Sequence, residues 1–379
     1  MPMSFKNLTS NSNLREVFLL LDKLGEYSFE VGPIRPPSEG GSFSLLLRVT
    51  RNCPWRLCSF CYGTPYGRAK FELRSVDEVK KDIDNVKAII DLLTKISFKL
   101  GLDGKINWNL WRIISTLDPT LNYNFNVVNV INWVSSGGKT VFLQDADSLI
   151  IPAKDLAEIL KQLYFEFPNV LIITSYARAK TLSRKSLEDL KLLREAGLSR
   201  LHVGLESGDD EVLRLINKGV TAEEHIKAGS LVIKAGIELS EYVMPGVAGK
   251  ELSEQHAKNT ARVLNTINPN YVRMRTFVPI AGTPLYKEYK EGRFKLLSPH
   301  ECLMEIRVMV ENLNINGKLC FDHFANPSFK GNIPVFRQDY EGYKLPEEKQ
   351  LILETIDKSL KIDESKFRRT EELVGLGHL

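Results

Sequence analysis

Short β-rich runs alternate with helical patterns along most of this chain. Six of the runs are predicted strands, at residues 44–50, 140–144, 170–175, 201–205, 237–244 and 271–278. Strands that alternate with helices are typical of β/α units, whose consecutive strands lie parallel in one sheet. The 379 residues are enough to curl such a sheet. The alternation therefore predicts an α/β fold, a partial (β/α)6 TIM-like barrel with a C-terminal capping segment.

The predicted barrel core spans residues 44–290, between an N-terminal extension of residues 1–43 and a C-terminal cap and tail of residues 291–379. Its first helix is expected to begin at Ser75, where Ser-Val-Asp-Glu is typical of a capping box. A helical insertion near residues 95–130 contains Trp108, Trp111 and an asparagine-rich stretch, and it is longer than a usual connection. The insertion is either a helical lid or a second small subdomain, and we favour the lid.

The overall composition excludes several classes of protein. Charged residues make up 26% of the chain, which is ordinary for a folded domain, and the formal net charge is only +4. Such a mild basic excess gives no indication of a nucleic-acid partner. No apolar stretch approaches the ~18 residues that span a bilayer, and the N-terminal residues lack the pattern of a signal peptide. Five cysteines, three of them clustered, suit a reducing compartment, so we expect a cytoplasmic protein with no membrane partner.

Three of the five cysteines, Cys53, Cys58 and Cys61, form a C-x4-C-x2-C cluster directly after the first predicted strand. The C-terminal ends of strands are where β/α barrels place their chemistry. Three thiols are an odd number for disulfides and one ligand too few for a structural zinc ion. A cluster of four irons also needs four ligands, so three cysteines would leave one iron open to a small molecule. Two alternatives stay open, namely unligated thiols and a zinc ion completed by a distant histidine, the nearest being His202.

The cysteine loop resembles that of the radical SAM superfamily, in which three cysteines hold a [4Fe-4S] cluster and S-adenosylmethionine chelates the fourth iron. The usual spacing there is C-x3-C-x2-C, and this chain has one extra residue between Cys53 and Cys58. Residues 142–149, 201–221 and 275–286 look like segments of the branch that includes oxygen-independent coproporphyrinogen oxidases, methylthiotransferases and Elongator-type enzymes. The resemblance covers residues 44–290.

The resemblance implies which residues bind the two cofactors, while it assigns no catalytic residue. The three cysteines would be the metal ligands, and the residues binding S-adenosylmethionine would be Phe60, Tyr62, Gln144, Asp145, Asp147, Ser175, Arg178, Glu206, Lys218 and Val247. Substrate candidates are His202, Arg273, Arg275 and His323. The insertion at 95–130 and the loop around Asp322 and Asn326 are expected to recognise the substrate.

Several of these residues also have a purely structural interpretation. Asp147 could cap the helix that follows it, Arg178 could be solvated, and His202 could be a satisfied core histidine. Lys218 could stabilise the dipole of the helix that precedes it. Cys302 and Cys320 lie far from the cysteine cluster and are expected to be buried free thiols.

The resemblance implies an oxygen-sensitive enzyme that reductively cleaves S-adenosylmethionine to a 5'-deoxyadenosyl radical, which attacks an unknown, small or anionic substrate. An external one-electron donor, similar to a flavodoxin or ferredoxin, is then an expected partner. One alternative is a radical SAM enzyme that modifies a macromolecule such as tRNA or a protein. An alternative of another class is a non-catalytic iron-sulfur electron carrier or scaffold. An electron carrier needs a fully ligated cluster and no cofactor pocket, so the polar strand ends disfavour it.

Overall fold

The computed structural model describes residues 11–34 and 43–374. The predicted N-terminal extension lies partly outside the described residues, as do the last five residues of the predicted tail. The strands are β1 (Leu45–Arg48), β2 (Thr50–Arg51), β3 (Glu72–Leu73), β4 (Thr140–Gln144), β5 (Ile172–Ala177), β6 (Leu198–Glu206), β7 (Glu238–Val243), β8 (Tyr271–Met274), β9 (Lys318–Cys320), β10 (Ser328–Phe329), β11 (Ile333–Pro334) and β12 (Tyr343–Lys344).

The helices of the described residues surround these strands. They are α1 (Asn11–Leu24), α2 (Val76–Lys99), α3 (Trp108–Leu117), α4 (Phe125–Ser135), α5 (Ala153–Glu166), α6 (Ala179–Leu182), α7 (Leu187–Glu195), α8 (Asp210–Leu215), α9 (Ala222–Lys234), α10 (Ser253–Ile267), α11 (Pro284–Lys290), α12 (Pro299–Asn312) and α13 (Lys349–Leu360). Ser75 caps α2 through the predicted capping box. The Ser75 hydroxyl accepts from the backbone N–H of Glu78, and the Glu78 carboxylate accepts from the backbone N–H of Ser75. None of the described helices is long and apolar enough to cross a membrane.

The main sheet has the strand order β1-β4-β5-β6-β7-β8-β9-β12. All six predicted strands are present and pair in parallel from β1 to β8, which confirms the α/β barrel-like fold. The sheet extends further than predicted, since β9 adds a parallel strand and β12 an antiparallel one. These strands have three and two residues, too few to show a periodic pattern. The predicted sixth strand is also shorter than expected and ends at Met274.

The two faces of the sheet differ in character. Residues such as Leu45, Leu47 and Val141 on one face belong to the large apolar core beneath the helices. On the other face, ring contacts run from Phe142 to Tyr176, from Tyr176 to His202, and from His202 to Tyr242, with centroid distances of 5.3, 5.8 and 5.9 Å. Side chains alternate between the faces of a strand, so this second face lines the interior of the partial barrel.

The β1 edge of the sheet is covered by earlier and later parts of the chain. The Arg48 backbone N–H donates to the Glu30 carbonyl at 3.1 Å, and the Leu46 N–H donates to Oδ1 of Asn129 on α4 at 3.5 Å. Gln144 exchanges two hydrogen bonds with the backbone of Gly32, at 2.8 and 3.0 Å. Exposed strand edges invite unwanted pairing, and these contacts protect this one.

The insertion near residues 95–130 is helical, as predicted, since it contains the end of α2, all of α3 and the start of α4. Its position is not that of a lid. Helix α4 packs against α2 and β1, so the insertion lies along the sheet edge and its apolar residues are used for packing. Trp111 accordingly packs on the main core, whereas Trp108 is exposed.

The C-terminal segment contains the helices α12 and α13 and continues the barrel through β9. The predicted tail is anchored by two buried residues, Phe367 and Leu373, and its other residues up to 374 are exposed or half-buried. Phe367 is buried and contacts the rings of Phe329 and His300 at 4.5 and 5.3 Å. Cys302 and Cys320 are buried free thiols, as expected.

Candidate functional site

The three clustered cysteines lie on a tightly bent loop between β2 and β3, just beyond the C-terminal end of β1. The N–H groups of Cys61 and Tyr62 both donate to the Cys58 carbonyl, at 3.1 and 2.7 Å. Arg56 and Tyr62 have left-handed φ values of 56° and 52°, a conformation that non-glycine residues adopt at a cost. The extra residue of the C-x4-C spacing is therefore taken up within a compact turn.

Contacts with the fourth β/α unit fix the outer side of this loop. The Ser59 N–H donates to the Ile216 carbonyl at 2.7 Å, and Trp55 Nε1 donates to the Asn217 carbonyl at 2.7 Å. Asn217 Nδ2 returns a bond to the Leu57 carbonyl at 3.0 Å. The loop is thus held by a turn about 160 residues away in sequence, which its own sequence did not reveal.

The thiols and two nearby cations act on one another electrostatically. The pKa of Cys58 is raised to about 12, mainly by burial; Lys218 and Arg178 oppose the shift, and the charges of Cys61 and Cys53 add to it. Burial also raises the pKa of Cys61, which Lys218 again opposes. The structure therefore brings the three cysteines together and places the two predicted cofactor-binding cations beside them.

Lys218 pairs with another predicted cofactor-binding residue, Glu206. Its Nζ lies 2.8 Å from Glu206 Oε1 and 5.7 Å from the centroid of the Phe60 ring. Burial lowers the pKa of Lys218, but the charges of Glu206 and Cys58 and the hydrogen bond to Glu206 together outweigh burial, so the pKa is raised. The pairing of β6 with β7 shifts register between Gly204 and Glu206, and Glu206 has a left-handed φ of 60°. Such irregularities re-aim side chains, here towards the cysteine loop.

Arg178 is half-buried rather than solvated. Its Nη2 donates to the Lys218 carbonyl at 2.9 Å, and its guanidinium lies 5.4 Å from the centre of the Trp55 ring. Asp147 accepts from the Arg178 backbone N–H at 3.1 Å and from the Thr181 hydroxyl at 2.5 Å. Asp147 makes no side-chain cap to the helical turn that follows it, so its carboxylate instead fixes the end of β5.

The side chains of three further predicted cofactor-binding residues make hydrogen bonds or packing contacts within the protein. Gln144 holds the backbone of residues 32–34, and the Ser175 hydroxyl donates to the Leu143 carbonyl at 3.1 Å. Val247 belongs to the main apolar core. Their side chains are committed to local structure.

Asp145 borders the cysteine loop directly. Its Oδ2 accepts from Arg48 Nε at 2.7 Å and from the Asn52 backbone N–H at 3.0 Å. Its Oδ1 is buried beneath Gly32 and has no hydrogen-bond partner among the described residues. Burial raises the pKa of this carboxyl, opposed by the Asn52 N–H and by Arg48. A buried acceptor without a donor fits a ligand that carries N–H groups.

The four substrate candidates surround the barrel interior near β8 and β9. Arg273 Nη1 lies 2.5 Å from Asp322 Oδ2, and the charge of His202 also acts on Asp322. Burial and, to a smaller extent, the charge of Arg275 lower the pKa of His323 to about 3. The interior is therefore lined by arginine, histidine and aromatic side chains.

Two residues near the site were missed by sequence reasoning. Burial raises the pKa of Tyr66 far above its ordinary value, and the charges of Asp145, Cys53 and Cys61 contribute, so its hydroxyl lies close to them. Tyr242 contacts His202 in the interior. Neither position carries a sequence signal, because their proximity to the site arises only when the strands assemble.

Among the described residues, no three Cys, His, Asp or Glu side chains are arranged as ligands of one metal ion. A four-iron cluster makes a different demand, because each cysteine binds a different iron. The three thiols lie on one bent loop, and Lys218 favours the ionised form of Cys58 and Cys61.

Comparison with known proteins finds similarity over the central part of the chain. Residues 120–262 match the sequence model of the Radical SAM superfamily; the cysteine loop precedes this range. A stretch of 120 residues is 28% identical to the tRNA uridine(34) acetyltransferase of Methanocaldococcus infernus, covering 31% of this chain and 22% of that protein. A stretch of 116 residues is 29% identical to the biotin synthase of Persephonella marina, covering 31% of this chain and 32% of that protein.

A further curated protein and a solved structure are also similar to parts of this chain. Elongator complex protein 3 of Bos taurus is 26% identical over 132 residues, which cover 35% of this chain and 24% of that protein. The solved structure of methylornithine synthase aligns with a TM-score of 0.41 at 18% identity, over 82% of this chain and 72% of that chain. The chain thus spans about a fifth to a third of the length of these three curated relatives.

Proposed function

We propose that this chain is an enzyme of the radical SAM superfamily, whose sequence model matches residues 120–262, and that it binds a [4Fe-4S] cluster through Cys53, Cys58 and Cys61. Enzymes of this superfamily use such a cluster and S-adenosylmethionine. The cluster supplies, when bound, the electron that cleaves the cofactor to methionine and a carbon-centred radical, which then removes hydrogen from a substrate. The protein positions both partners and excludes water.

The observation that carries the proposal is the meeting of three thiols with two cations at the strand ends. Lys218 and Arg178 both lower the pKa of Cys58 against the effect of burial. A metal ligand must be a thiolate, so these cations favour the ligating form. An isolated buried cysteine pair or triplet in an apolar core would have no such support.

The same residues suit the cofactor. Lys218 is a cation for the methionyl carboxylate, and Glu206 is an acceptor for ribose hydroxyls once their mutual ion pair opens. The unpartnered Asp145 Oδ1 is an acceptor for the methionyl ammonium. Phe60 precedes the last ligand and presents a ring for the adenine beside Lys218. Tyr62, Gln144, Asp147, Ser175, Arg178 and Val247 would then act by shaping the surrounding turns.

We further propose a small anionic substrate held in the barrel interior. The interior contains Arg273, Arg275, His202 and His323, and Asp322 balances one of these arginines. An arginine fork binds carboxylates and phosphates well. Modification of a tRNA or a protein is the second candidate, favoured by the similarity to a tRNA uridine(34) acetyltransferase, although that match covers only 22% of that protein. The radical chemistry requires an external electron donor in either case.

The test is anaerobic reconstitution with iron and sulfide, then incubation with dithionite and S-adenosylmethionine, with 5'-deoxyadenosine measured by chromatography. Cys58→Ala should lose the cluster and the product, whereas Cys302→Ala, which also removes a buried thiol, should keep both. A full iron and sulfide content in Cys58→Ala would refute the ligand assignment. A stable cluster without cofactor cleavage would favour the electron carrier or scaffold.

A further inference from the structure

A basic groove of about 500 Å³ lies on the outer surface, directly beside the cysteine loop. Two residues of the loop form one wall, and four cations form the other; together these are Pro54, Trp55, Arg178, Lys180, Arg184 and Lys185. Asp189 is the one carboxylate among the described residues that line it. The groove therefore has a strong local excess of positive charge in a chain whose net charge is only +4.

The four cations differ in the ion pairs and hydrogen bonds that they already form. Lys180 forms an ion pair with Glu224, and Lys185 Nζ donates to the Ile151 carbonyl at 3.1 Å. Arg178 is held between Trp55 and the Lys218 carbonyl. Arg184 is exposed and forms no ion pair within the described ranges, although its charge contributes to lowering the pKa of Glu224. A partner in the groove would meet Arg184 first.

The charge pattern of the cysteine loop continues this basic surface. Residues 51–71 contain four cations and no aspartate or glutamate. Of these, Arg68 and Lys70 are exposed and have no ion pair in the part of the chain that the structure describes. The surface around the loop is thus basic both in the groove and along the loop itself.

The position of the groove decides which anionic partner it suits. Trp55 and Pro54 stand in sequence between Cys53 and Cys58, so a partner seated in the groove lies against the outside of the cysteine loop. The remaining lining comes from the region of α6 and α7, from the turn after β4 at Leu149 and Ile150, and from Gly219 before α9. None of the four substrate candidates of the barrel interior belongs to it. An electron can cross a thin protein layer, whereas a substrate must enter the interior.

We propose that this basic groove is the docking surface for an acidic one-electron donor protein, an inference that rests on the function proposed above. One electron passes from the reduced donor to the cluster, and the donor is oxidised by one electron. Opposite charge on the two surfaces raises the encounter rate and orients the donor towards the loop.

The experiment uses an acidic flavodoxin as the probe and two charge reversals outside the cofactor site, Arg184→Glu and Lys70→Glu. Arg262→Glu, an exposed cation on α10, is the matched control with the same change in net charge. We expect the second-order rate of cluster reduction by flavodoxin hydroquinone to fall about 10-fold in Arg184→Glu at low ionic strength. The difference should vanish in high salt, and reduction by dithionite should stay unchanged in every variant.

Binding of oxidised flavodoxin to the full chain is measured in parallel, and it is informative with or without the cluster. Weaker binding in Arg184→Glu and Lys70→Glu but not in Arg262→Glu supports the docking surface. Equal binding and equal reduction rates in all four proteins would overturn it. If the two reversals weaken binding of a bulk tRNA but leave flavodoxin unaffected, the groove belongs to a nucleic acid and the proposal fails. Failure of the proposed function would appear differently, as a chain that holds no cluster.

Discussion

Replacing the buried carboxylate of Asp147 by an amide should change how the stability of the protein depends on pH. Asp147 is fully buried, and burial raises its pKa from the ordinary value of 3.8 to about 6, although bonds from Thr181 and the Arg178 N–H oppose the shift. Asp147→Asn keeps the shape of the protonated acid and cannot ionise. The substitution therefore isolates the contribution of this one titration.

The sign and the size of this pH-dependent change in stability follow from the raised pKa of Asp147. Between pH 3.8 and about 6 the folded protein keeps a proton that the unfolded chain releases, so ionisation of Asp147 lowers stability as the pH rises. Each tenfold difference in proton affinity is worth about 1.4 kcal/mol, which gives about 3 kcal/mol for the whole window. Over the accessible range of pH 4.5 to 7.5, the wild-type protein should lose about 2 kcal/mol relative to Asp147→Asn.

Urea unfolding followed by fluorescence at a series of pH values measures this difference. Asp91→Asn, an exposed acid on α2, is the control and should follow the wild-type pH dependence. If the wild-type protein instead gains stability over Asp147→Asn as the pH rises, the nearby Arg178 and Lys185 cations stabilise the carboxylate more than burial penalises it. That result would refute the account and would return Asp147 to the list of carboxylates available for a cofactor.

Three other substitutions test the local structure of cluster-free protein by urea unfolding. Glu206→Gln should destabilise the cluster-free protein by about 3 kcal/mol because Lys218 is left as a buried unpaired cation. The double variant with Lys218→Met should recover most of this loss, and equal losses in both variants would contradict a stabilising ion pair. Gly208→Ala should cost about 1–3 kcal/mol, since an added Cβ would lie 2.6 Å from a backbone carbonyl of α10; Gly25→Ala, whose Cβ finds ordinary contacts, is its control. Ser75→Ala should cost about 1 kcal/mol by removing the cap of α2, and no change would mean that the capping box does not hold in solution.

The pattern of the sequence was sufficient for the central part of the fold. The strands β4 to β8 and the capped start of α2 follow from periodicity and capping residues, which are local properties. The two strands β9 and β12 were missed because a strand of two or three residues has no period. The insertion near residues 95–130 was placed wrongly as a lid, because its helical sequence does not show that β1 is a sheet edge in need of cover.

The sequence by itself also indicated the three-cysteine cluster as the candidate site, because the spacing of three cysteines after a strand is a local feature. Only the tertiary structure decided which side chains surround them. Glu206 and Asp145 meet the loop since parallel strands deliver their C-terminal ends to one edge of the barrel, and Lys218, in the turn after α8, pairs with Glu206 there. Gln144, Ser175 and Asp147 occupy similar places in sequence but have their hydrogen bonds taken by the fold. Hydrogen-bond partners and burial depend on residues far apart in the chain, and no local pattern encodes them.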